Sequence, residues 1–147
     1  MGGVPAPTRS TQPDSRPDDA GDRRTILIVE DEEKIRLLVR LVLEKKGFAV
    51  HPAENAVQAL AIAGAFTGPP DLLLTDVVMP GLSGRELCDA LRERWPVLPV
   101  LFMSGYTGDA LVNMRPSPAR TGFLAKPFTP MQLLEQVDAL LAPAADK

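Results

Sequence analysis

The sequence predicts an α/β domain built on a parallel sheet with right-handed crossovers. Short apolar runs recur along the chain, and patterns with helical periodicity separate them. Polar residues follow directly on the ends of those runs, where an open α/β sheet places its ligand site.

Residues 1–23 are rich in Pro, Gly, Ser, Asp and Arg. They cannot bury enough apolar surface to offset the entropy of ordering them, and they read as a disordered tail or linker. At Thr25 the pattern changes. Ile26-Leu27-Ile28-Val29 is an unbroken, β-branched-rich run, as expected of a strand covered on both faces. A helical pattern follows, with Ile35, Leu38, Val39 and Val42 at offsets of three and four, closed by Gly47. A short strand over 48–51 leads to a weaker helix over about 55–65. Leu72-Leu73-Leu74-Thr75 is the third strand and ends on Asp76.

Pro80, Gly81 and Gly84 make the next loop, where Ser83 and Glu86 form a capping box. The helix it opens carries Leu87 and Leu91 and ends near Trp95-Pro96. A fourth strand over 97–103 ends on Ser104. Thr107 caps a helix over 108–114 that Pro116 and Pro118 cut short. Phe123-Leu124-Ala125 is the last strand, ending on Lys126-Pro127. Thr129 to Gln132 is a second capping box, with Pro130 at the first helical position. Leu133, Leu134, Val137, Leu140 and Leu141 supply the last helix's apolar face. The folded unit is expected over 24–142, with 143–147 as a C-terminal tail.

The chain has 147 residues, enough for one domain, and its 45% hydrophobic content supports a core. A net charge of -3 gives no electrostatic reason to expect nucleic-acid binding. The single cysteine, Cys88, excludes an internal disulfide and suits a reducing compartment. No apolar run approaches membrane-spanning length, and residues 1–24 lack the apolar core of a signal peptide. A soluble, cytoplasmic protein is expected.

The chemistry sits at the strand ends. Glu30 and Asp31 follow the first strand, Asp76 ends the third, Ser104 follows the fourth and Lys126 the fifth. Three carboxylates held close raise each other's pKa unless a cation neutralises them. A hard divalent ion with oxygen ligands, Mg²⁺, fits that need. Lys126 adds a positive charge and Ser104 a hydroxyl donor, both suited to a phosphoryl group. A carboxylate such as Asp76 can act as a nucleophile and form an acyl phosphate.

The segments ILIVEDEE at 26–33, LLLTDVVMPGLSG at 72–84, VLFMSGYTG at 100–108 and FLAKPF at 123–128 stand in order, each at a predicted strand. On these segments the chain resembles the response-regulator receiver family of two-component signalling over about residues 24–142. The resemblance implies a flavodoxin-like (βα)5 doubly wound sheet with strand order 2-1-3-4-5. It implies that Asp76 is the phosphorylated carboxylate, fed by a histidine kinase or a histidine phosphotransfer protein. Asp31 would bind Mg²⁺ directly, Glu30 mainly through water, and the Val78 main-chain carbonyl would complete the protein ligands. Lys126 would contact the phosphoryl oxygens across a cis Lys126-Pro127 bond. Ser104 would turn inward onto the phosphoryl group, and Phe123 would move with it as an aromatic switch. Self-phosphorylation and autodephosphorylation are the only catalysis implied, so the protein is not expected to be an enzyme in the ordinary sense.

Three positions depart from the family's commoner pattern. Ser104 replaces Thr, Gly105 stands where Ala is frequent, and 113–118 would give a short or irregular fourth helix on a face that many relatives use to dimerise. The MSGYTG and FLAKPF wording is most similar to receivers of hybrid histidine kinases or single-domain relatives.

Other readings fare worse. A phosphatase of the haloacid dehalogenase type needs a second Asp two residues after the nucleophile, and Val78 stands there. Neither a GxxxxGK[ST] loop nor a GxGxxG turn follows any strand. A non-phosphorylated interaction scaffold would not need all five site residues. With few residues after 142, no DNA-binding output domain is expected; signalling by protein contact, a phosphate sink or shuttle, or excision from a hybrid kinase remain open. Glu32 and Glu33 read as a solvated helix start. His51 reads as structural, Cys88 as a small core filler, and Trp95 as packing at a helix end.

Overall fold

Every residue of Thr25–Val29 (β1) is buried, as a strand covered on both faces requires. The computed structural model describes residues 23–105 and 119–141. The helix expected over 108–114, the 143–147 tail and all but Arg23 of the 1–23 tail lie outside the described residues.

After β1 come α1 (Glu33–Lys45), β2 (Ala49–Ala53), α2 (Ala56–Gly64), β3 (Leu72–Asp76), α3 (Gly84–Arg94), β4 (Val100–Ser104), β5 (Thr121–Ala125) and α4 (Pro130–Leu141). The strands form one parallel sheet in the order β2-β1-β3-β4-β5. The expected doubly wound, flavodoxin-like topology is therefore present. Alternate strand residues point to opposite faces, and each face has its own core. Leu27, Val29, Leu73, Val100 and Phe102 pack with α2 and α3 through Ala59, Ala63, Leu87 and Leu91. Ile26, Ile28, Leu72, Leu74, Leu101 and Met103 pack with α1 and α4 through Val39, Leu43, Leu133 and Val137.

Helix starts follow the capping chemistry. Ser83 Oγ accepts from the Glu86 N–H, and Glu86 Oε1 accepts from the Ser83 N–H at 2.9 Å. Thr129 and Gln132 exchange the same pair of bonds at α4. Asn55 caps α2 by accepting from the Gln58 N–H at 2.7 Å. Gly47 closes α1 with φ +101°, a left-handed conformation that side chains resist.

Several boundaries move. β2 runs over 49–53 rather than 48–51. β4 starts at Val100, because Leu98 N–H donates to Trp95 O and turns the chain through 95–98 first. β5 begins at Thr121, two residues early. On α1 the apolar pattern is wider than the buried face. Val39 and Leu43 are fully buried, while Leu37, Leu38 and Leu41 are exposed. His51 lies within β2 rather than at its end, packs edge-to-face on Phe66 at 5.1 Å between centroids, and is held below its ordinary pKa by burial. Buried Cys88 is pushed up to about 11, chiefly by burial, and is an inert filler as expected. Trp95 packs near Phe66 under the Arg94 guanidinium.

The edge of the sheet opposite the strand C-termini is held by arginines. Arg24 Nη1 donates to Leu141 O at 3.0 Å, and Arg120 Nη1 to Leu140 O at 3.1 Å, at the end of α4. Arg94 donates to Ala63 O at 2.8 Å and Phe66 O at 2.5 Å, at the end of α2. Each places a cation where carbonyls lack helical partners and the helix dipole is negative. Among the described residues, no helix is long and apolar enough to cross a membrane.

Candidate functional site

In the order β2-β1-β3-β4-β5 the chain direction of the crossovers reverses between β1 and β3, and a cleft opens there beyond the strand ends. Val29 pairs with Thr75, so Glu30 and Asp76 end neighbouring strands side by side. The main chain at Glu30 is fixed from two sides. Its N–H donates to Ala53 O, and its carbonyl accepts from Arg36 Nη1 of α1 at 2.8 Å.

The structure gathers Glu30, Asp31, Asp76 and Lys126. One carboxylate oxygen from each of the three acids lies within 4.8 Å of the others. Lys126 Nζ stands 2.6 Å from Asp76 Oδ1 and 2.9 Å from Glu30 Oε1. Glu30 is fully buried and Asp76 is 3% exposed, whereas Asp31 lies at the solvent rim. The Lys126-Pro127 peptide bond is cis, as expected.

Burial dominates the electrostatics. It pushes the Asp76 carboxyl up, a hydrogen bond with Glu30 adds to this, and Lys126 offsets only part; the result is about 8. Burial also pushes Glu30 up, but hydrogen bonds involving Asp76, the Glu32 N–H and Lys126 outweigh it and hold Glu30 below its ordinary value. Lys126 is held above its ordinary value: burial lowers it, and the two carboxylates more than compensate. Without a metal, burial thus favours the protonated form of Asp76, while the donors around Glu30 favour its charged form.

This donor set suits a hard divalent cation. The oxygens come from three carboxylates, two of them buried, and the buried Glu30 Oε1 has the Lys126 ammonium at 2.9 Å. Three carboxylates against one ammonium leave an excess of negative charge in a largely buried site, and a hard divalent cation offsets it.

Ser104 ends β4 and is buried; its carbonyl accepts from the Lys126 N–H at 2.9 Å. Phe102 pairs with Phe123 and Ser104 with Ala125 in the β4–β5 register, so Ser104, Phe102 and Phe123 share one sheet face. The Phe123 ring meets Phe102 edge-on at 6.4 Å between centroids and is partly buried. Val78 follows Asp76 by two residues with its side chain 74% exposed.

Two neighbours of the acid cluster escaped the sequence reading. Thr75 is fully buried, and its hydroxyl donates to Asp76 O at 3.0 Å. Gly84 at the start of α3 donates its N–H to Val77 O at 2.8 Å and packs against the Asp76 carbonyl. No local pattern marks a contact between residues eight apart across a loop.

Comparison with known proteins agrees with this geometry. The family model described as response regulator receiver domain matches residues 26–138. The chain is 38% identical over 123 residues to the sensor kinase CckA of Brucella abortus (strain 2308), covering 84% of this chain and 13% of that protein. It is 34% identical over 128 residues to the transcriptional regulatory protein ResD of Bacillus subtilis (strain 168), covering 86% of this chain and 52% of that protein. The chain thus spans about half the length, or much less, of these curated relatives. Among solved structures, the receiver domain from the hybrid histidine kinase CckA superposes with a TM-score of 0.69 at 35% identity, over 80% of this chain and 98% of that one. The chemotaxis response regulator CheY4 of Vibrio cholerae superposes with a TM-score of 0.68 at 30% identity, over 81% and 99%. With Glu30, Asp31 and Lys126 gathered around the buried Asp76 carboxylate, and a family match across nearly the whole described chain, the protein belongs to the response regulator receiver domain family.

Proposed function

We propose that this receiver, over 24–142, accepts a phosphoryl group on Asp76 from a histidine kinase or phosphotransfer protein, and that Mg²⁺ is required. The observation that carries the reading is the buried Asp76 carboxylate with Lys126 Nζ at 2.6 Å and two further acids beside it. Asp76 Oδ attacks phosphorus; the bond from phosphorus to the donor breaks, and its electron pair leaves with the donor. Lys126 stays within reach of both Asp76 and the incoming phosphoryl oxygens and balances their charge. Asp31, Glu30, Asp76 and the Val78 main-chain carbonyl would hold the ion, which supplies charge neutralisation for the transferring group. Ser104 provides a hydroxyl at the end of the neighbouring strand. The exposed Leu37, Leu38 and Leu41 on α1 support a protein partner, since clustered exposed leucines are unusual on a surface that meets only water. A phosphate sink or shuttle, acting alone or within a hybrid kinase, uses the same chemistry.

The test is incubation with acetyl phosphate and Mg²⁺, reductive trapping of the acyl phosphate, and peptide mapping. Modification at Asp76 is expected; a protein that takes no label, or takes it elsewhere, overturns the proposal.

Metal binding should stabilise the fold, because the ion binds the native state. Asp31→Ala is expected to reduce the Mg²⁺-induced rise in melting temperature more than Glu30→Ala, which would act through water. Equal shifts in wild type and Asp31→Ala refute the ligand assignment.

The same site supports a switch. The Ser104 hydroxyl can bond a phosphoryl group in only one arrangement, and only such differential contact shifts a population. Phe123, on the same sheet face, would turn into the space that Ser104 vacates. Ser104→Ala should still accept phosphate on Asp76 but transmit little change to 121–128. Amide NMR with beryllofluoride as phosphoryl mimic tests this. Identical shifts at 121–128 in wild type and Ser104→Ala would remove Ser104 from the coupling.

A further inference from the structure

We propose that Gly84 is a positioning residue of the site, acting through the main chain of Asp76 and the loop from Val77 to Ser83. The part played by that main chain in metal binding rests on the reading of Asp76 given above. The geometric claim does not.

The argument begins with a contact that leaves no room. A Cβ added to Gly84 would overlap the Asp76 carbonyl oxygen, lie 2.8 Å from the Asp76 carbonyl carbon and 3.2 Å from Thr75 Oγ1. Both nearest atoms are backbone, so no rotamer change can relieve the overlap. Glycine's lack of a side chain is therefore used here for close approach.

That approach closes a latch. The Thr75 hydroxyl donates to Asp76 O at 3.0 Å, and Gly84 N–H donates to Val77 O at 2.8 Å. Val77 N–H in turn donates to Met103 O on β4 at 3.0 Å. The first residue of α3 is thereby pinned to the last residues of β3, and the intervening loop is closed at its base. Ser83 and Glu86 fix the direction in which the helix leaves. The Asp76 peptide plane and the path of Val78 both depend on how near α3 stands to β3. Gly84 sets that distance.

A merely structural glycine would matter only through stability, as any weakening of the α3 start would. Ser83→Ala provides that comparison. It removes a helix cap at a cost of about 1 kcal/mol without adding an atom near Asp76. The first readout is amide NMR on metal-free protein. Gly84→Ala is expected to displace the resonances of Asp76, Val77 and Val78 well beyond Ser83→Ala. Changes confined to 83–88 in both variants overturn the proposal, whatever the site binds.

The second readout is Mg²⁺ affinity by titration calorimetry. Supporting contacts around metal ligands are worth roughly 10–100-fold in affinity. Gly84→Ala should weaken binding by about tenfold or more, and Ser83→Ala by no more than about twofold. Equal losses in the two variants count against positioning. If wild type shows no Mg²⁺ binding, the metal reading falls, and the NMR comparison alone decides the role of Gly84. If Gly84→Ala does not fold, Thr75→Val loosens the latch from its other side by removing the hydroxyl from Asp76 O. It is then expected to shift Asp76 and Val77, and an unchanged spectrum overturns the proposal.

Discussion

Asp76→Asn is expected to take no label from acetyl phosphate and Mg²⁺, while remaining folded. Neither neighbouring acid has the same setting. Glu30 is wholly buried, with one oxygen held by the Glu32 N–H at 3.0 Å and its main chain fixed by Ala53 and Arg36. Asp31 stands at the solvent rim. Asp76 combines a strand-end position, 3% exposure and Lys126 Nζ at 2.6 Å. An amide at 76 keeps the shape but loses the nucleophile. The expected effect is loss of label to background, read by base-labile phosphate on the intact protein. Undiminished label on Asp76→Asn would move the acceptor elsewhere.

The same substitution should raise stability when metal is withheld. The Asp76 carboxyl ionises near 3.8 when unfolded and at about 8 in the fold, chiefly because it is buried. Between those values folding takes up a proton, so stability is greatest below about pH 4 and falls as pH rises through about 8. Asn carries no such proton. At pH 7.5 in EDTA, Asp76→Asn is therefore expected to gain on the order of a few kcal/mol, or on the order of ten degrees in melting temperature. The wild-type decline between pH 5 and 8 in this comparison should be absent from the variant. Added Mg²⁺ should reverse the wild-type deficit and release close to one proton near neutral pH, measurable in weak buffer. Parallel stability curves for the two proteins in EDTA would show that Asp76 does not hold the proton.

The acid cluster was legible because each member directly follows a run of buried apolar residues. A parallel strand covered on both faces leaves few other places for Glu30, Asp76 or Ser104 to go. Strand starts were harder. Val97 is apolar yet 68% exposed, and it sits in a turn; hydrophobicity alone merges that turn with β4. Gly122 separates Thr121 from the apolar Phe123-Leu124, and an edge strand half open to solvent needs no longer apolar run. Leu38 satisfies helical spacing with Ile35 and Val42, but α1 contacts the sheet along a narrower line through Val39 and Leu43. Lys126 could be assigned to a phosphoryl group from its place after β5. Its contact with Glu30 as well as Asp76 depends on how far β5 lies from β1 across the sheet end. Gly84 looked like a loop glycine, since its use arises from Asp76, eight residues away in sequence but in contact with it in space.

Arg24 and Leu141 stand at opposite ends of the folded unit, yet the guanidinium of one holds the carbonyl of the other at 3.0 Å. The start of β1 and the end of α4 therefore meet at one end of the sheet. The acid cluster lies at the other end of the sheet, beyond the strand C-termini. Such a body is portable. Joined to other sequence at either end, or at both, it can be spliced into a longer chain without stretching its sheet or crowding its chemistry. Relatives of which it matches 13% in one case and 52% in another are what a self-contained insert of this shape makes possible.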